Sequence, residues 1–344
     1  MKILYSVQAT GNGHISRAME LLPFLKNYGN VDIFLSGANS TLALDGTVKY
    51  RSKGLSLFYT CSGTLSYKKM FKNIDPLKMF KEVRDLPVEN YDLVINDFEC
   101  ITAMACARKK VPSVNFGHQA SFLSDKTPRP EKTSKMGEWI LKNYAKATQY
   151  IGLHFQSYDN FIFSPVIKSE ILKADAKDKG HITVYLPSYC DEVLKQHLLP
   201  FSDFQFEVFS HQKKERSREG NIQYIPVTKA DFNESLINCH GIITGGGFET
   251  PAEAIYLKKK LLAIPIQGQY EQQCNGAALK LLGVPVLDKL DDNFPDHFNH
   301  WMNEAKAPSV TYDYSTEAII NILMCRCTRI GQQLDFNYPN LVFN

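Results

Sequence analysis

The sequence predicts an α/β protein with two doubly wound, parallel-sheet domains that face each other across a cleft. Short apolar runs of strand length recur along the chain, and helical patterns separate most of them, which is typical of parallel sheets. The chain has 344 residues, which exceeds one typical domain of ~100–150 residues. Two such series without detectable sequence repetition indicate two Rossmann-like domains.

The first half begins with an apolar run that ends in glycines and continues with four more predicted strands. These strands cover residues 2–7, 31–35, 55–59, 93–96 and 113–116. Helical patterns lie between most of them, for example over residues 18–26 and 101–109. We expect the strand order 3-2-1-4-5, which places the first and fourth strands side by side.

The second half repeats this alternation of strands and helices. Its predicted strands cover residues 182–186, 204–209, 222–225, 241–244 and 261–264. Its helical patterns cover residues 191–197, 233–239, 251–257, 272–282 and 316–327. The same reasoning therefore predicts a second parallel sheet.

The middle of the chain suggests where the two domains meet. Residues 165–180 are rich in Lys, Asp and Ala and have only scattered apolar positions. We predict a first domain over residues 1–164, a linker over 165–180 and a second domain over 181–344. The last helix is a candidate to pack back on the first domain. Residues 126–146 are predicted to cross the cleft, and a packed surface helix is the alternative.

Composition predicts a cytoplasmic globular protein. Hydrophobic residues make up 44% and charged residues 22%, and neither a signal-peptide pattern nor an apolar run of ~18 residues is present. The net charge is +3, with the basic excess in the first half. This excess suggests an anionic acceptor or peripheral contact at the inner face of a membrane, although solvated helix faces explain it more simply. The eight cysteines lack a Cys-x-x-Cys pair, so we interpret them as buried thiols rather than disulfides or metal ligands.

A glycine turn after the first strand leads to a histidine. Gly11, Asn12 and Gly13 permit close approach of a ligand and are predicted to lie on the acceptor side. Arg17 replaces the third glycine of a dinucleotide fingerprint, and the second strand lacks a terminal carboxylate, which disfavours nicotinamide and flavin. At a helix start, His14 is expected to be neutral and able to accept a proton, and a capping or packing histidine is the alternative.

Asp97 follows the fourth predicted strand, beside the first. It is therefore placed to reach the ring nitrogen that His14 does not use in catalysis, and to stabilise the imidazolium. The alternative for Asp97 is the N-cap of the next helix. His118 follows the fifth strand at the same sheet edge and is predicted to line the acceptor side.

Three glycines at residues 245–247 turn a strand directly into a helix in the second half. Backbone N–H groups and the helix dipole at this position suit a diphosphate, and no Gly-Lys-Ser/Thr follows that would indicate an NTPase. Thr250 and Glu253 also match a capping box with Pro251 at the first helical position, which is a structural alternative for Glu253.

A cluster of amides and carboxylates follows the next strand. Such groups donate to and accept from neighbouring hydroxyls, so they suit a sugar, and a solvated polar loop is the alternative. The predicted sugar-binding residues are Gln269, Glu271, Gln272, Gln273 and Asn275.

These motifs resemble those of GT-B glycosyltransferases. The segment from Thr244 to Gly283 carries G-G-G-F-E-T-x-x-E-A, L-x-I-P and Q-x-E-Q-x-x-N-G-A, as in glycosyltransferase family 28, which includes the peptidoglycan N-acetylglucosaminyltransferases. Residues 11–18, G-N-G-H-I-S-R-A, look closer to a bacterial and archaeal subgroup with G-x-G-H-x-x-R-A. The double glycine and proline of the peptidoglycan enzymes are missing from this loop.

The resemblance implies a GT-B fold and roles for individual residues. Glu253 matches the glutamate that holds the donor ribose, and Gln272 and Gln273 match positions that bind the donor sugar. His14 matches the catalytic base of plant and animal glucosyl- and glucuronosyltransferases, in which an aspartate, here Asp97, orients it. The residues that match the diphosphate loop are Gly245, Gly246, Gly247, Phe248, Glu249 and Thr250.

We therefore predict an inverting, metal-independent glycosyltransferase. It would move a hexose-type sugar from a nucleotide-sugar donor, with UDP favoured, to a hydroxyl of a sugar, lipid-linked or small-molecule acceptor. No Asp-x-Asp motif is present, and we expect neither a cofactor beyond the nucleotide sugar nor a nucleic-acid partner. The alternatives are a non-hydrolysing nucleotide-sugar 2-epimerase and a non-catalytic nucleotide-sugar-binding protein.

Overall fold

The computed structural model contains two sheets and describes residues 1–37, 44, 48–54, 60–64 and 75–328. Within these residues the first sheet has seven strands in the order β3-β2-β1-β4-β5-β6-β7, and all neighbouring pairs are parallel. Strands β1 and β4 are hydrogen-bonded neighbours, as predicted. The strands are β1 (Lys2–Gln8), β2 (Asn30–Ser36), β3 (Val48–Ser52), β4 (Leu93–Asp97), β5 (Val114–Gly117), β6 (Gln149–Leu153) and β7 (Ile162–Phe163).

The third strand is not the one that the sequence pattern predicted. The predicted strand at residues 55–59 lies outside the described residues, and β3 forms the edge of the sheet instead. In β3 exposed Lys49 and Arg51 alternate with half-buried residues. An edge strand of this kind carries no continuous apolar run, so a search for such runs passes over it.

Helices flank the first sheet and connect its strands. They are α1 (Asn12–Lys26), α2 (Pro76–Asp85), α3 (Cys100–Lys109) and α4 (Lys135–Asn143), with 3-10 turns at Val88–Asn90 and Gln119–Leu123. Helix α1 begins earlier than predicted, directly after Gly11. Its first turn contains Asn12, Gly13 and His14, so the apolar period that predicts helices is missing there.

The second sheet has six described strands in the order β10-β11-β9-β8-β12-β13. All pairs are parallel except β10 with β11. The strand order reverses between β8 and β12, where ligands of open α/β sheets bind. The strands are β8 (Ile182–Tyr185), β9 (Phe206–Ser210), β10 (Ser217–Glu219), β11 (Ile222–Pro226), β12 (Gly241–Thr244) and β13 (Lys260–Ala263).

The helices of the second half include the two that follow β12 and β13. They are α5 (Ser169–Leu172), α6 (Asp191–Leu198), α7 (Lys229–Asn238), α8 (Glu249–Tyr256), α9 (Tyr270–Leu281), α10 (Phe294–Glu304) and α11 (Thr316–Thr328). The predicted α/β architecture with two parallel sheets is thus confirmed.

The two halves contact each other through helices as well as through the site. Helix α11 packs against α1, and the Tyr28 hydroxyl donates a hydrogen bond to Asn321. Helix α4 contacts α9, where the Tyr270 hydroxyl donates to Glu138 Oε1 at 2.8 Å. The domain boundaries themselves stay a prediction.

A disulfide joins Cys61 to Cys190 across 129 residues of sequence. The interpretation of all eight cysteines as thiols is therefore wrong for this pair. Because the two residues are far apart in the sequence, their spacing carries no signal of the bond. Among the described residues, no helix is long and apolar enough to cross a membrane.

Candidate active site

His14 and Asp97 meet at the carboxyl edge of the first sheet. Parallel pairing places Val7 of β1 beside Asp97 of β4, and His14 lies in the first turn of α1. His14 Nδ1 is 2.9 Å from Asp97 Oδ1, and the Asp97 side chain is fully buried. The structure therefore places the two residues in the contact that their strand positions predicted.

The alternative role of Asp97 as a helix cap is not observed. Glu99 caps α3, and its carboxylate accepts hydrogen bonds from the N–H groups of Ile101 at 2.9 Å and Thr102 at 2.6 Å. Phe98, between the two carboxylates, has a φ of 54°, a left-handed conformation that is rare for aromatic residues. This turn lets Glu99 serve the helix while Asp97 faces His14.

Arg17 is a member of this cluster that the sequence analysis missed. Its Nη2 donates to Asp97 Oδ1 at 2.6 Å, its Nε donates to Oδ2 at 3.2 Å, and its Nη1 donates to Glu249 of α8. In the sequence, Arg17 stood out only as the residue that replaces a third glycine and as part of the G-x-G-H-x-x-R-A motif. Its position three residues after His14, on the same helix face, was the available signal.

The electrostatic setting of His14 differs from the one expected at a helix start. Burial lowers the pKa of His14, but the charge and hydrogen bond of Asp97 raise it by more, so the pKa lies above the ordinary value of 6.5. Burial acts to raise the pKa of Asp97, while Arg17 and His14 hold it below its usual range. The pKa of His14 is therefore shifted in the opposite direction to the one expected at a helix start.

The second ring nitrogen of His14 lies beside Gln119, which connects it to the other half of the molecule. Gln119 Nε2 lies 3.4 Å from His14 Nε2 and donates to Glu271 Oε1 at 3.0 Å. With the Nδ1 proton directed at Asp97, Nε2 carries the lone pair that accepts a proton. The His14 side chain keeps 13% of its surface exposed.

The glycine loop after β12 has a different helix start from the predicted one. Helix α8 begins at Glu249 with Phe248 as its N-cap, so Thr250 already lies within the first turn. The capping-box alternative for Thr250 and Glu253 is therefore wrong. The first-turn amides of α8 have no acceptors within the helix, and the helix dipole makes this end positive.

One amide of the loop is not free for a ligand. Gly246 N–H donates to Gln272 Oε1 at 3.0 Å, and Ile266 N–H donates to the same oxygen at 3.0 Å. Asn275 Nδ2 donates to the Gly246 carbonyl at 2.9 Å. Gln272 and Asn275 thus hold the loop in place through these hydrogen bonds. Their contact with the donor sugar stays a prediction.

The polar cluster lies at the start of α9 rather than in a loop. Gln269 is the N-cap of this helix, and Glu271, Gln272 and Gln273 occupy its first turns. Gln269 Oε1 is buried and has no hydrogen-bond partner among the described residues. Glu271 is the one whose carboxylate reaches Gln119, beside His14.

His118 is buried between the two halves rather than open to a cleft. Its Nδ1 donates to the Leu153 carbonyl at 2.9 Å, and its Nε2 lies 2.7 Å from Asn275 Oδ1. The ring stacks on Phe248 with a centroid distance of 4.0 Å. Burial lowers the pKa of His118. Its contacts in the structure are therefore with the residues that hold the glycine loop.

Glu253 is buried and paired with a lysine that the sequence analysis missed. Lys168 Nζ lies 3.0 Å from Glu253 Oε2 and also donates to Asn233 Oδ1 at 3.0 Å. Burial raises the pKa of Glu253, and Lys168 acts in the opposite direction. Lys168 lies in the predicted linker, which drew attention only for its richness in Lys, Asp and Ala.

The glycine turn and the glycine loop touch each other. A Cβ added at Gly13 would lie 2.5 Å from Glu249 Oε2, so the two segments are in close contact here. Asn12 Nδ2 lies 3.5 Å from the Tyr185 hydroxyl at the end of β8. The carboxyl edges of both sheets thus face one shared site, which is the arrangement of GT-B glycosyltransferases.

Comparison with known proteins agrees with this class. The model of Glycosyl transferase family 1 matches residues 1–304, and the chain belongs to this family. It is a glycosyltransferase of the GT-B type. The resemblance to family 28 is a finer assignment that stays a prediction. No curated protein gave a match.

Solved structures share the fold at low sequence identity. Spinosyn forosaminyltransferase SpnP has a TM-score of 0.59 and 13% identity over 95% of this chain and 99% of its own. Arabidopsis thaliana UGT89C1 complexed with UDP has a TM-score of 0.57 and 12% identity over 95% of this chain and 94% of its own. Acinetobacter baumannii MurG has a TM-score of 0.56 and 13% identity over 94% of this chain and 99% of its own.

Proposed function

We propose that this glycosyltransferase transfers the sugar of a nucleotide sugar with inversion of configuration at the anomeric carbon, and that His14 is its base. The observation that carries the proposal is the 2.9 Å contact between His14 Nδ1 and the buried carboxylate of Asp97. It leaves Nε2 to take the proton of an acceptor hydroxyl as that oxygen attacks the sugar. Asp97 then stabilises the imidazolium that forms.

The leaving nucleoside diphosphate would be stabilised at the start of α8. The N–H groups of this helix turn and its dipole favour negative charge, and they need no reorganisation during the reaction. Because Gly246 N–H is occupied by Gln272, Gly247, Phe248 and Glu249 supply the amides in this proposal. In this proposal the start of α8 stabilises the negative charge of the leaving diphosphate, and the reaction needs no metal ion.

The donor class is proposed as a UDP-sugar carrying a hexose. The support is the motif resemblance, together with structural neighbours such as UGT89C1 and LpCGTa, whose structures were solved in complex with UDP. The acceptor hydroxyl belongs to a sugar, a lipid-linked sugar or a small molecule. Cytoplasmic location and peripheral membrane contact through the basic first half are part of the same proposal.

Thermal-shift measurements against UDP-, GDP-, dTDP- and CMP-sugars test the donor class. We expect one UDP-sugar to raise the melting temperature, since a ligand that binds only the folded state stabilises it. Stabilisation by another nucleotide sugar would replace UDP, and no stabilisation by any of the four would contradict the donor site. Incubating the bound donor without acceptor and looking for an epimer separates transfer from 2-epimerisation.

A further inference from the structure

Arg17 connects the two halves of the molecule at the position where the proposed base lies. Its guanidinium is almost fully buried, with 1% of the side chain exposed. Two of its nitrogens bind Asp97, and a third binds Glu249, which starts α8 in the other half. A planar guanidinium with five donors suits such a double contact, which a lysine cannot reproduce.

We propose that Arg17 is a positioning residue that couples the His14–Asp97 pair to the start of α8 through Glu249. The His14 imidazole then has its working position and charge environment only while the two halves are in contact. This inference rests on the proposed function for the role of His14. The inference goes beyond the proposed function because it makes the position and charge of the base depend on the contact between the two halves.

The charges of the cluster support this coupling. Arg17 Nη2 lies 3.0 Å from His14 Nδ1, so its positive charge opposes protonation of the ring. With His14 neutral, one cation faces the carboxylates of Asp97 and Glu249. Proton uptake by His14 brings the cluster to charge balance, which a buried site favours. Separation of the halves would remove Glu249 from Arg17 and end this balance.

The other polar groups around His14 do not replace Glu249 in this role. Tyr5 lies beneath the cluster, and its hydroxyl remains uncharged because burial raises its pKa well above the ordinary value. Glu271 reaches His14 only through the amide of Gln119. His118 Nε2 lies 4.0 Å from Glu271 Oε1, and burial lowers the pKa of His118. Glu249 is therefore the charge from the second half that acts on His14 through Arg17.

The test is an NMR titration of the His14 imidazole in the full-length protein without any substrate. The His14 resonance is assigned by its loss in His14→Gln. We expect Glu249→Gln to move the midpoint to lower pH and Arg17→Met to move it to higher pH, each by about one pH unit. Arg17→Lys keeps the charge but not the double contact, so its midpoint should lie between those of the wild type and Arg17→Met.

Glu20→Gln is the matched control for Glu249→Gln. Glu20 also lies on α1 and also crosses to the second half, where it accepts from Ser169 N–H at 3.0 Å and pairs with Lys229. It has no contact with the cluster, so its variant should titrate like the wild type. If Arg17→Met does not fold, Glu249→Gln alone decides, because it conserves the shape of the side chain.

The outcomes separate this inference from the proposed function. Identical His14 midpoints in the wild type, Glu249→Gln and Glu20→Gln would overturn the coupling, whatever His14 does in catalysis. Shifted midpoints together with normal sugar transfer by His14→Ala would overturn the proposed base and leave the coupling standing. Shifted midpoints with loss of transfer in His14→Ala support both.

Discussion

At the residue scale, the site depends on the buried carboxylate of Asp97, which binds two side chains of the neighbouring helix α1. Asp97 lies between His14 and Arg17, and its pKa is held low by both partners against the effect of burial. The adjacent Glu99 is equally buried but caps α3. Two neighbouring carboxylates thus have separate tasks, which gives a matched pair of variants.

Replacement of Asp97 by Asn removes the charge and keeps the shape. We expect sugar transfer to fall by about 10²–10⁴-fold, because the ring loses both its orientation and the stabilisation of its charged form. Steady-state rates at saturating donor measure this loss. Glu99→Gln should lower the melting temperature through the weakened cap while the rate falls far less. Equal rate losses in the two variants would contradict the assigned roles.

The raised pKa of His14 also links stability to pH. Its folded pKa lies above the unfolded value, so the protonated ring stabilises the folded state below about pH 6.5, and this stabilisation is lost as pH rises through the folded pKa. The difference in unfolding free energy between wild type and His14→Gln should therefore shrink with rising pH. Denaturant unfolding at several pH values measures it. A difference that grows with pH would contradict the raised pKa.

At the scale of elements, the glycine loop is shaped by α9 as much as by its own sequence. A Cβ at Gly246 would lie 2.7 Å from the backbone oxygen of Gln272 and 2.9 Å from Pro265 Cβ. At the neighbouring Gly247 no atom lies within 4 Å of the same position. Only Gly246 is therefore required by packing against the next helix.

We expect Gly246→Ala to destabilise the fold by about 1–3 kcal/mol, because backbone atoms must move to admit the methyl group. Gly247→Ala is the matched control for stability and should leave the melting temperature nearly unchanged. Thermal unfolding of the two variants measures the difference. Equal melting temperatures would show that α9 does not hold the loop as closely as described.

The sequence predicted the elements of this site better than their side-chain contacts. Period and glycine position predicted that β12 turns directly into a helix, and the neighbouring strands placed Asp97 beside His14. The hydrogen bond that Gly246 N–H donates to Gln272 Oε1 could not be predicted, because it depends on where α9 begins. Lys168 was missed because its partner Glu253 is 85 residues away in the sequence, and the contact of Arg17 with Glu249 was missed because it spans 232 residues.

At the scale of the whole molecule, a short segment of the first half lies along the second half. Besides the disulfide, Gly63 N–H donates to the Ser188 carbonyl at 3.0 Å, and Gln267 N–H donates to the Gly63 carbonyl at 2.9 Å. Cys61 is exposed, so a reductant can reach the bond. The disulfide therefore fastens the two halves beside their shared site.

Reduction of this disulfide should lower the stability of the oxidised protein by about 2–4 kcal/mol, because the cross-link restricts the unfolded chain. Melting temperatures with and without a dithiol reductant measure the effect. A Cys61→Ser/Cys190→Ser variant should melt at one temperature under both conditions. A reductant effect that persists in this variant would place its origin elsewhere. Since the cytosol keeps thiols reduced, the measurement also bears on the predicted location.

The most direct test of the central claim compares catalysis with donor binding in His14→Ala. With a UDP-sugar and acceptor that the wild type uses, the account predicts that transfer falls by about 10²–10⁴-fold while the dissociation constant of the donor stays nearly unchanged. Turnover assays and calorimetric donor titration give the two numbers. Transfer at the wild-type rate, or a large loss of donor binding, would contradict the role of His14 as the base.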